Sequence, residues 1–175
     1  MSAMKRLVPV LLLAALGFGP ALGQTSALKG HDSNAPVDVA ADRIEVQDRA
    51  DRAIFSGNVV VRQAGLTLTA ARLTVAYSST GGIELRRIDA AGGVTVRSPS
   101  ETARGDFAVY DLDRRIITLI GGVSLVQRDA RVNGGRLVIE LDSGRAVMDG
   151  GGPPGTTSQG GRVSGTFTVP QRKGG

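Results

Sequence analysis

Few residues in this sequence have side chains and spacings that could catalyse a reaction or bind a metal. The 175 residues include no cysteine and one histidine, His31, which excludes thiol nucleophiles, disulfides and zinc sites built from these ligands. Asp111 and Asp113 could share a calcium ion, but two carboxylates are too few ligands, and a solvated turn is favoured. We therefore predict that the protein is not an enzyme and has no catalytic residue, metal or cofactor.

A glycine-rich segment matches the dinucleotide-binding pattern G-x-G-x-x-G only formally. It runs from Gly150 to Gly155 and contains two prolines, and no strand-to-helix pattern surrounds it. Its composition is typical of a flexible loop, which we place at residues 149–161.

Composition and charge limit the possible partners. Apolar residues make up 41% of the chain and charged residues 21%, enough for a packed core. The formal net charge is +5, but aromatic residues amount to only 3% and the arginines are scattered. Few aromatic faces are therefore available to stack on bases, and we predict no nucleic-acid partner. Mild attraction to anionic lipid headgroups is compatible with this charge.

Residues 1–23 are typical of a cleaved secretory signal. Basic residues precede a 12-residue apolar run from Leu7 to Phe18, which is short of the about 20 residues that cross a hydrocarbon core. Small residues at the end of the segment place cleavage before Gln24. An uncleaved membrane anchor is the alternative.

The region after the signal alternates apolar and polar residues in short segments. Period two is typical of half-buried strands, and turn signals separate the segments every 8–12 residues or so. The alternation occurs at Ile44 to Gln47, Leu66 to Thr69, Leu73 to Tyr77, Val94 to Arg97 and Leu137 to Leu141, and the turn signals at 63–65, 78–82, 111–114, 133–135 and 142–144. We predict an all-β fold of about 14–16 short antiparallel strands, with a disordered leader at 24–35, a domain at 36–170 and a loose tail at 171–175.

An internal repeat predicts how these strands are arranged. A Gly-x-Val corner recurs at Gly57, Gly92 and Gly121, each time after an apolar strand. Glycine allows the backbone to bend there, so that a second strand leaves in a new direction. Stacked units of this kind form a roll with two walls, whose ends carry unpaired strand edges that can bind another molecule.

The apolar side of each strand should face the interior of the roll. Over residues 106–113, the face with Tyr110 and Leu112 is preferred, because the opposite face carries two carboxylates. The inward residues form either an ordinary core or the walls of a groove for acyl chains, since each buried methylene contributes roughly 0.8 kcal/mol. This candidate lipid-binding set comprises Val37, Val39, Val59, Val61, Leu66, Leu68, Leu73, Val75, Val94, Val96, Tyr110, Leu112, Val123, Leu125, Leu137 and Ile139.

Several of these segments resemble the LptA family of periplasmic lipopolysaccharide-transport proteins, with its OstA-like domain. The matching segments are Pro36 to Val39, Ala53 to Val61, Leu66 to Leu73, Tyr110 to Leu112 and Leu119 to Val123. Gly122 departs from the family, which usually has Asn there, and the 149–161 loop is unusually rich in Gly and Pro. The resemblance implies a half-open, V-shaped β-jellyroll that shelters lipid A acyl chains and carries lipopolysaccharide from the inner to the outer membrane.

The resemblance also implies partners at the two strand edges. LptC would bind the N-terminal edge, at Val37 and Val39, and the N-terminal domain of LptD the C-terminal edge, at Val163, Phe167 and Val169. Copies of the chain would associate end to end in the periplasm. Two alternatives stay open: an LptC-like relative that retains its membrane anchor, and a structural β-roll or adhesin fragment without a lipid groove.

Overall fold

The computed structural model describes residues 31–151 and 161–167. The predicted signal peptide, most of the 149–161 loop, Val169 and the tail lie outside the described residues. The strands are β1 (Asp38–Ala40), β2 (Arg43–Gln47), β3 (Arg52–Gln63), β4 (Leu66–Ser78), β5 (Glu84–Arg97), β6 (Glu101–Asp111), β7 (Ile116–Gln127), β8 (Ala130–Glu140), β9 (Arg145–Asp149) and β10 (Ser164–Thr166). One 3₁₀ turn, Asp48–Ala50, joins β2 to β3.

All ten strands belong to one antiparallel sheet that follows the order of the chain. β3 to β8 pair in sequence, β1 and β2 both pair with β3, and β9 and β10 both pair with β8. Within the described residues, the sheet therefore starts at the edges of β1 and β2 and ends at those of β9 and β10, and it does not close into a barrel. The predicted all-β, half-open roll is confirmed.

The glycine corners bend the strands but do not end them. β3 to β8 each run for 11 to 14 residues, with a break in register at the predicted corners, for example between Ser56 and Val59. The described residues thus contain ten strands where sequence analysis expected 14–16, because the two limbs of a bent strand were counted separately. The turn predicted at 133–135 is wrong for the same reason: it lies inside β8, and the turn before β8 is at Arg128 and Asp129.

Each bend turns the sheet back over itself and creates two facing walls. The first wall comprises residues 43–56, 72–91, 107–120 and 136–149, and the second wall comprises 38–40, 59–70, 94–105, 123–134 and 164–166. Backbone φ angles of +78° at Gly57, +85° at Gly92 and +83° at Gly121 make the bends possible, in a region that L side chains rarely adopt.

The core lies between the walls. Its most buried aliphatic side chains come from both of them, with Leu73, Ile88, Ile117 and Leu119 on the first wall and Val59, Val94 and Val123 on the second. Full burial of one such side chain stabilises the fold by about 1.5–3 kcal/mol. The same alternation that predicted strands therefore also holds the two walls together.

Candidate functional site

An apolar cavity opens between the walls at the N-terminal end of the roll. Its volume is about 420 Å³, and its charged lining residue is Asp48. Val37 and Val39 form one side and the first wall forms the other. The first wall contributes Val46, Ala53, Phe55, Val75, Tyr77, Ile83 and Leu85. We call this space the N-terminal cavity; its surface suits a hydrocarbon and offers few polar groups to any other ligand.

The interior narrows sharply towards the middle of the roll. A gap of about 10 Å³ lies there, bordered by Val37, Leu68, Ile88 and Tyr110 among others. Side chains from the two walls contact one another across this region. Sequence analysis expected an unsealed trough along the whole roll, whereas the opposing aliphatic side chains of the described residues are in contact at its centre.

Residues 31–37, which we call the N-terminal strap, cross the mouth between the two walls. The side-chain amide of Gln63, on the second wall, donates 3.0 Å hydrogen bonds to the carbonyl oxygens of Ser33 and Ala35. On the first wall, Nη2 of Arg115 donates a 3.2 Å hydrogen bond to Oδ1 of Asn34. The N-terminal strap thus forms hydrogen bonds with both walls.

Gln63 also ties the two walls to each other. Its Oε1 accepts a 3.1 Å hydrogen bond from the Tyr110 hydroxyl and lies 3.2 Å from Nε2 of His31. Burial raises the pKa of Tyr110 above its usual value, so the phenol stays protonated and remains a donor. His31 belongs to this network, and residues 31–35 make defined contacts although sequence analysis assigned them to a disordered leader.

The structure brings most of the predicted lipid-binding residues together between the walls. Tyr110 is 4% exposed and Phe107 is 53% exposed, so the preferred face of β6 points inward. Val37, Val39, Leu112 and Leu125 are half-buried against the core. The buried members are Val59, Val61, Leu66, Leu68, Leu73, Val75, Val94, Val96, Tyr110, Val123, Leu137 and Ile139.

Sequence analysis missed much of the N-terminal cavity itself. Phe55, Ile83 and Leu85 line it but were not among the predicted lipid-binding residues. Phe55 lies in a continuous apolar segment, Ala53 to Phe55, in which no alternation marks the inward side. Ile83 precedes β5 and is 77% exposed, so no local pattern marks it.

The predicted partner residues lie at opposite ends of the sheet. Val39 is on β1, opposite Val61 of β3. Val163 and Phe167 flank β10 and are 45% and 53% exposed, whereas Val169 lies outside the described residues. Over the ranges 31–151 and 161–167, no group of three or more His, Cys, Asp or Glu could hold a metal ion, and no helix there is long and apolar enough to cross a membrane.

Comparison with known proteins gives three similarities. Residues 38–145 match the family model described as LptA/(LptD N-terminal domain) LPS transport protein. An uncharacterized protein of Rhizobium meliloti (strain 1021) is 30% identical over 154 residues, covering 78% of this chain and 83% of that relative. The crystal structure of LptH, the LptA homologous periplasmic component of the lipopolysaccharide transport device of Pseudomonas aeruginosa, superposes with a TM-score of 0.69 at 20% identity, covering 79% of this chain and 99% of LptH.

Proposed function

The chain belongs to the family of LptA and LptD N-terminal-domain lipopolysaccharide transport proteins, and on that premise we propose that it is a periplasmic bridge protein. It binds lipid A acyl chains between its walls and passes lipopolysaccharide from the inner towards the outer membrane. The family match and the shared fold with LptH support this role. The protein performs transport and no chemical reaction of its own.

The N-terminal cavity is the observation that carries the proposal. Its walls are aliphatic and aromatic, and it opens at the end of the roll where β1 and β2 each have an edge that no described strand pairs with. At roughly 0.8 kcal/mol per buried methylene, an acyl chain of about 12 carbons gains on the order of 10 kcal/mol of gross burial. A space of this kind is where an acyl chain first enters the roll.

Loading beyond the cavity requires the N-terminal strap to leave the mouth. Its hydrogen bonds to Gln63 and Arg115 are exchanged for bonds to water, at a net cost of about 1 kcal/mol each. Acyl methylenes then contact Tyr110 of the first wall and Leu68 of the second, in place of the strap and of the side chains of the opposite wall. Burial of a whole acyl chain outweighs the loss of these few contacts.

The two ends of the sheet supply the partner sites. We assign the β1 and β2 edge to LptC and the β9 and β10 edge to the N-terminal domain of LptD, with end-to-end association of copies in between. Unpaired backbone N–H and C=O groups on edge strands allow a partner strand to extend the sheet. Residues 1–23 act as the signal peptide, so mass spectrometry of the exported protein should find Gln24 at the N-terminus. An intact 1–23 segment would instead favour an anchored, LptC-like relative.

Two neighbouring positions on β3 give the direct test. Phe55 lines the N-terminal cavity, whereas Ile54 points to the opposite face of the sheet, since successive side chains of a strand alternate. A photo-crosslinking amino acid at position 55 should capture lipopolysaccharide in cells, and the same group at position 54 should not. Capture at neither position, or equally at both, would rule out transport through this interior.

A further inference from the structure

The outer surface of the second wall carries a row of exposed arginines. By cross-strand pairing, Arg62 on β3, Arg97 on β5 and Arg131 on β8 lie in one row across the sheet. Arg104 on β6 lies on the same face, two residues further along the strands. All four are exposed, on the opposite face from the buried core residues of the same strands. We call this surface the basic face.

None of these four arginines forms an ion pair with any described residue. The five ion pairs of the described chain all join residues of the first wall or the turns at its tip, such as Arg87 with Asp89 and Arg86 with Asp113. Within residues 31–151 and 161–167, the positive charge of the basic face is therefore not neutralised by an ion pair.

The two outer surfaces also differ in their carboxylates. On the strands of the basic face, the exposed acidic residue is Asp38, which lies opposite Arg62, whereas Glu101 of β6 is buried on the other side of the sheet. The outer surface of the first wall intersperses its arginines with Glu45, Asp89, Asp111, Glu140 and Asp149. Arg43, Arg72 and Arg136 of the first wall also form no ion pair with a described residue, so the basic face differs from the first wall in its scarcity of exposed carboxylates and not in ion pairing.

The basic face extends over six strands, β3 to β8, and is mostly polar. With strands about 4.8 Å apart, Arg62 and Arg97 are separated by about 10 Å, and Arg97 and Arg131 by about 14 Å. Hydroxyl groups fill many of the positions between them, at Thr67, Thr69, Thr95, Thr102 and Ser124. The half-buried Val60 and Val126 also lie on this face, but none of the exposed large hydrophobic residues of the described chain lies on this part of β3 to β8, so the face suits a charged surface better than an apolar one.

We propose that the basic face docks the protein on the surface of an anionic phospholipid bilayer. Guanidinium groups bind phosphate oxygens in a bidentate manner, and neighbouring hydroxyls donate further hydrogen bonds. A bilayer presents phosphates over an area that a row of this length can match, and attraction of several arginines adds up near such a surface. This inference goes beyond the lipid groove, because it concerns the outside of the roll and does not depend on what the interior binds.

Docking in this way sets the orientation of the protein. The second wall lies flat on the bilayer, so the axis along which strands stack is parallel to the membrane. A bridge between two membranes needs that axis to point away from them. The basic face therefore holds the unassembled protein at a membrane, and assembly at the strand edges releases it.

Two variants with the same loss of charge test the proposal. R62T/R97T/R131T removes the row on the basic face. R43T/R72T/R136T removes three exposed arginines that share one level on the outer surface of the first wall. The mature chain is sedimented with vesicles of phosphatidylcholine alone and with vesicles containing 30 mol% phosphatidylglycerol, at low and at 0.3 M salt.

The expected result is binding to the anionic vesicles only, weakened by salt. The basic-face variant should bind about tenfold more weakly or worse, whereas the first-wall variant should stay within about twofold of the unmodified protein. Circular dichroism checks that both fold, and R97E replaces the triple variant if it does not. Equal losses in the two variants, no binding to anionic vesicles, or retention by a soluble polyanion without retention by vesicles would each overturn the proposal.

Discussion

The carboxylate of Asp42 lies against Gly57, in the space that a β-carbon on Gly57 would occupy. The two residues are also joined by their backbones, since the Asp42 N–H donates a 2.9 Å hydrogen bond to the Gly57 carbonyl oxygen. The side-chain amide of Asn58 then donates to Oδ2 of Asp42 at 2.9 Å. The first corner of the roll is therefore fixed by a contact that only glycine permits, and Asp106 stands against Gly121 at the third corner in the same way.

Gly57→Ala should destabilise the fold more than Gly93→Ala does. Both glycines have a similar positive φ, +78° and +75°, so both variants incur the backbone strain of about 1–2 kcal/mol. A β-carbon at Gly93 meets nothing within 4 Å, whereas one at Gly57 collides with Asp42. We expect losses of about 1 kcal/mol for G93A and about 3 kcal/mol for G57A in urea unfolding. Equal losses would show that the contact with Asp42 is not what constrains the corner.

The sequence alone is sufficient to predict the features that repeat locally. Alternation identified buried residues such as Leu73 and Val94, and the Gly-x-Val pattern located the corners. The inward direction of Tyr110 was predicted correctly, because the other face of residues 106–113 would have buried two carboxylates. Each of these follows from neighbours within a few residues of the chain.

What could not be predicted depends on contacts between distant parts of the chain. His31 lies beside Gln63, which is 32 residues away, and no local pattern links them. The same holds for the packed centre of the roll, because alternation shows which side chains face inward but not how far apart the walls stand. The number of strands was predicted too high because a bend within a strand and a turn between strands contain the same types of residue.

Gln63→Ala should free the N-terminal strap while leaving the roll folded. The substitution removes the donor to the Ser33 and Ala35 carbonyls and the acceptor of the Tyr110 hydroxyl. We expect the free energy of unfolding to fall by about 2–3 kcal/mol, since buried polar groups are left unpaired. Hydrogen exchange in residues 31–37 should be faster than in the unmodified protein, whereas exchange in β4 should change less. Tyr110→Phe removes one hydrogen bond and serves as the milder comparison. Unchanged exchange in the strap of the Q63A protein would contradict its attachment through Gln63.

Stability should fall as the pH rises above 10. Burial raises the pKa of Tyr110 from an ordinary value of 10.0, so the unfolded chain loses this proton at lower pH than the folded protein does. The contribution is fully present below pH 10 and is lost as the pH rises through 10 towards the folded pKa. Urea unfolding at intervals from pH 8 to pH 11 measures the slope. Tyr110→Phe should reduce the slope only in part, because Tyr77 also contributes. The pKa of Tyr77 is raised by desolvation and by Asp48 and Asp51. An unaltered slope in the Tyr110→Phe protein would exclude Tyr110 as the cause.

Val39→Pro should weaken partner binding more than it weakens the fold. Val39 lies on the short strand β1, which among the described strands pairs with β3 alone. Proline removes a backbone donor there and distorts the edge that a partner strand would extend. We expect a small shift in melting temperature and a large loss of capture by the periplasmic domain of LptC. A loss of melting temperature in proportion to the loss of capture would argue against β1 as a docking edge.

Ile83→Asp should reduce lipid binding without unfolding the protein. Ile83 lines the N-terminal cavity but is 77% exposed, so the substitution buries little in the free protein. An acyl chain in the cavity would desolvate the new carboxylate, which is costly without a partner. We expect at least about tenfold weaker binding of lipopolysaccharide in a fluorescent-probe displacement assay. Phe107→Asp is the matched control, since Phe107 is 53% exposed on the outer surface; equal effects of the two substitutions would place the lipid somewhere other than the N-terminal cavity.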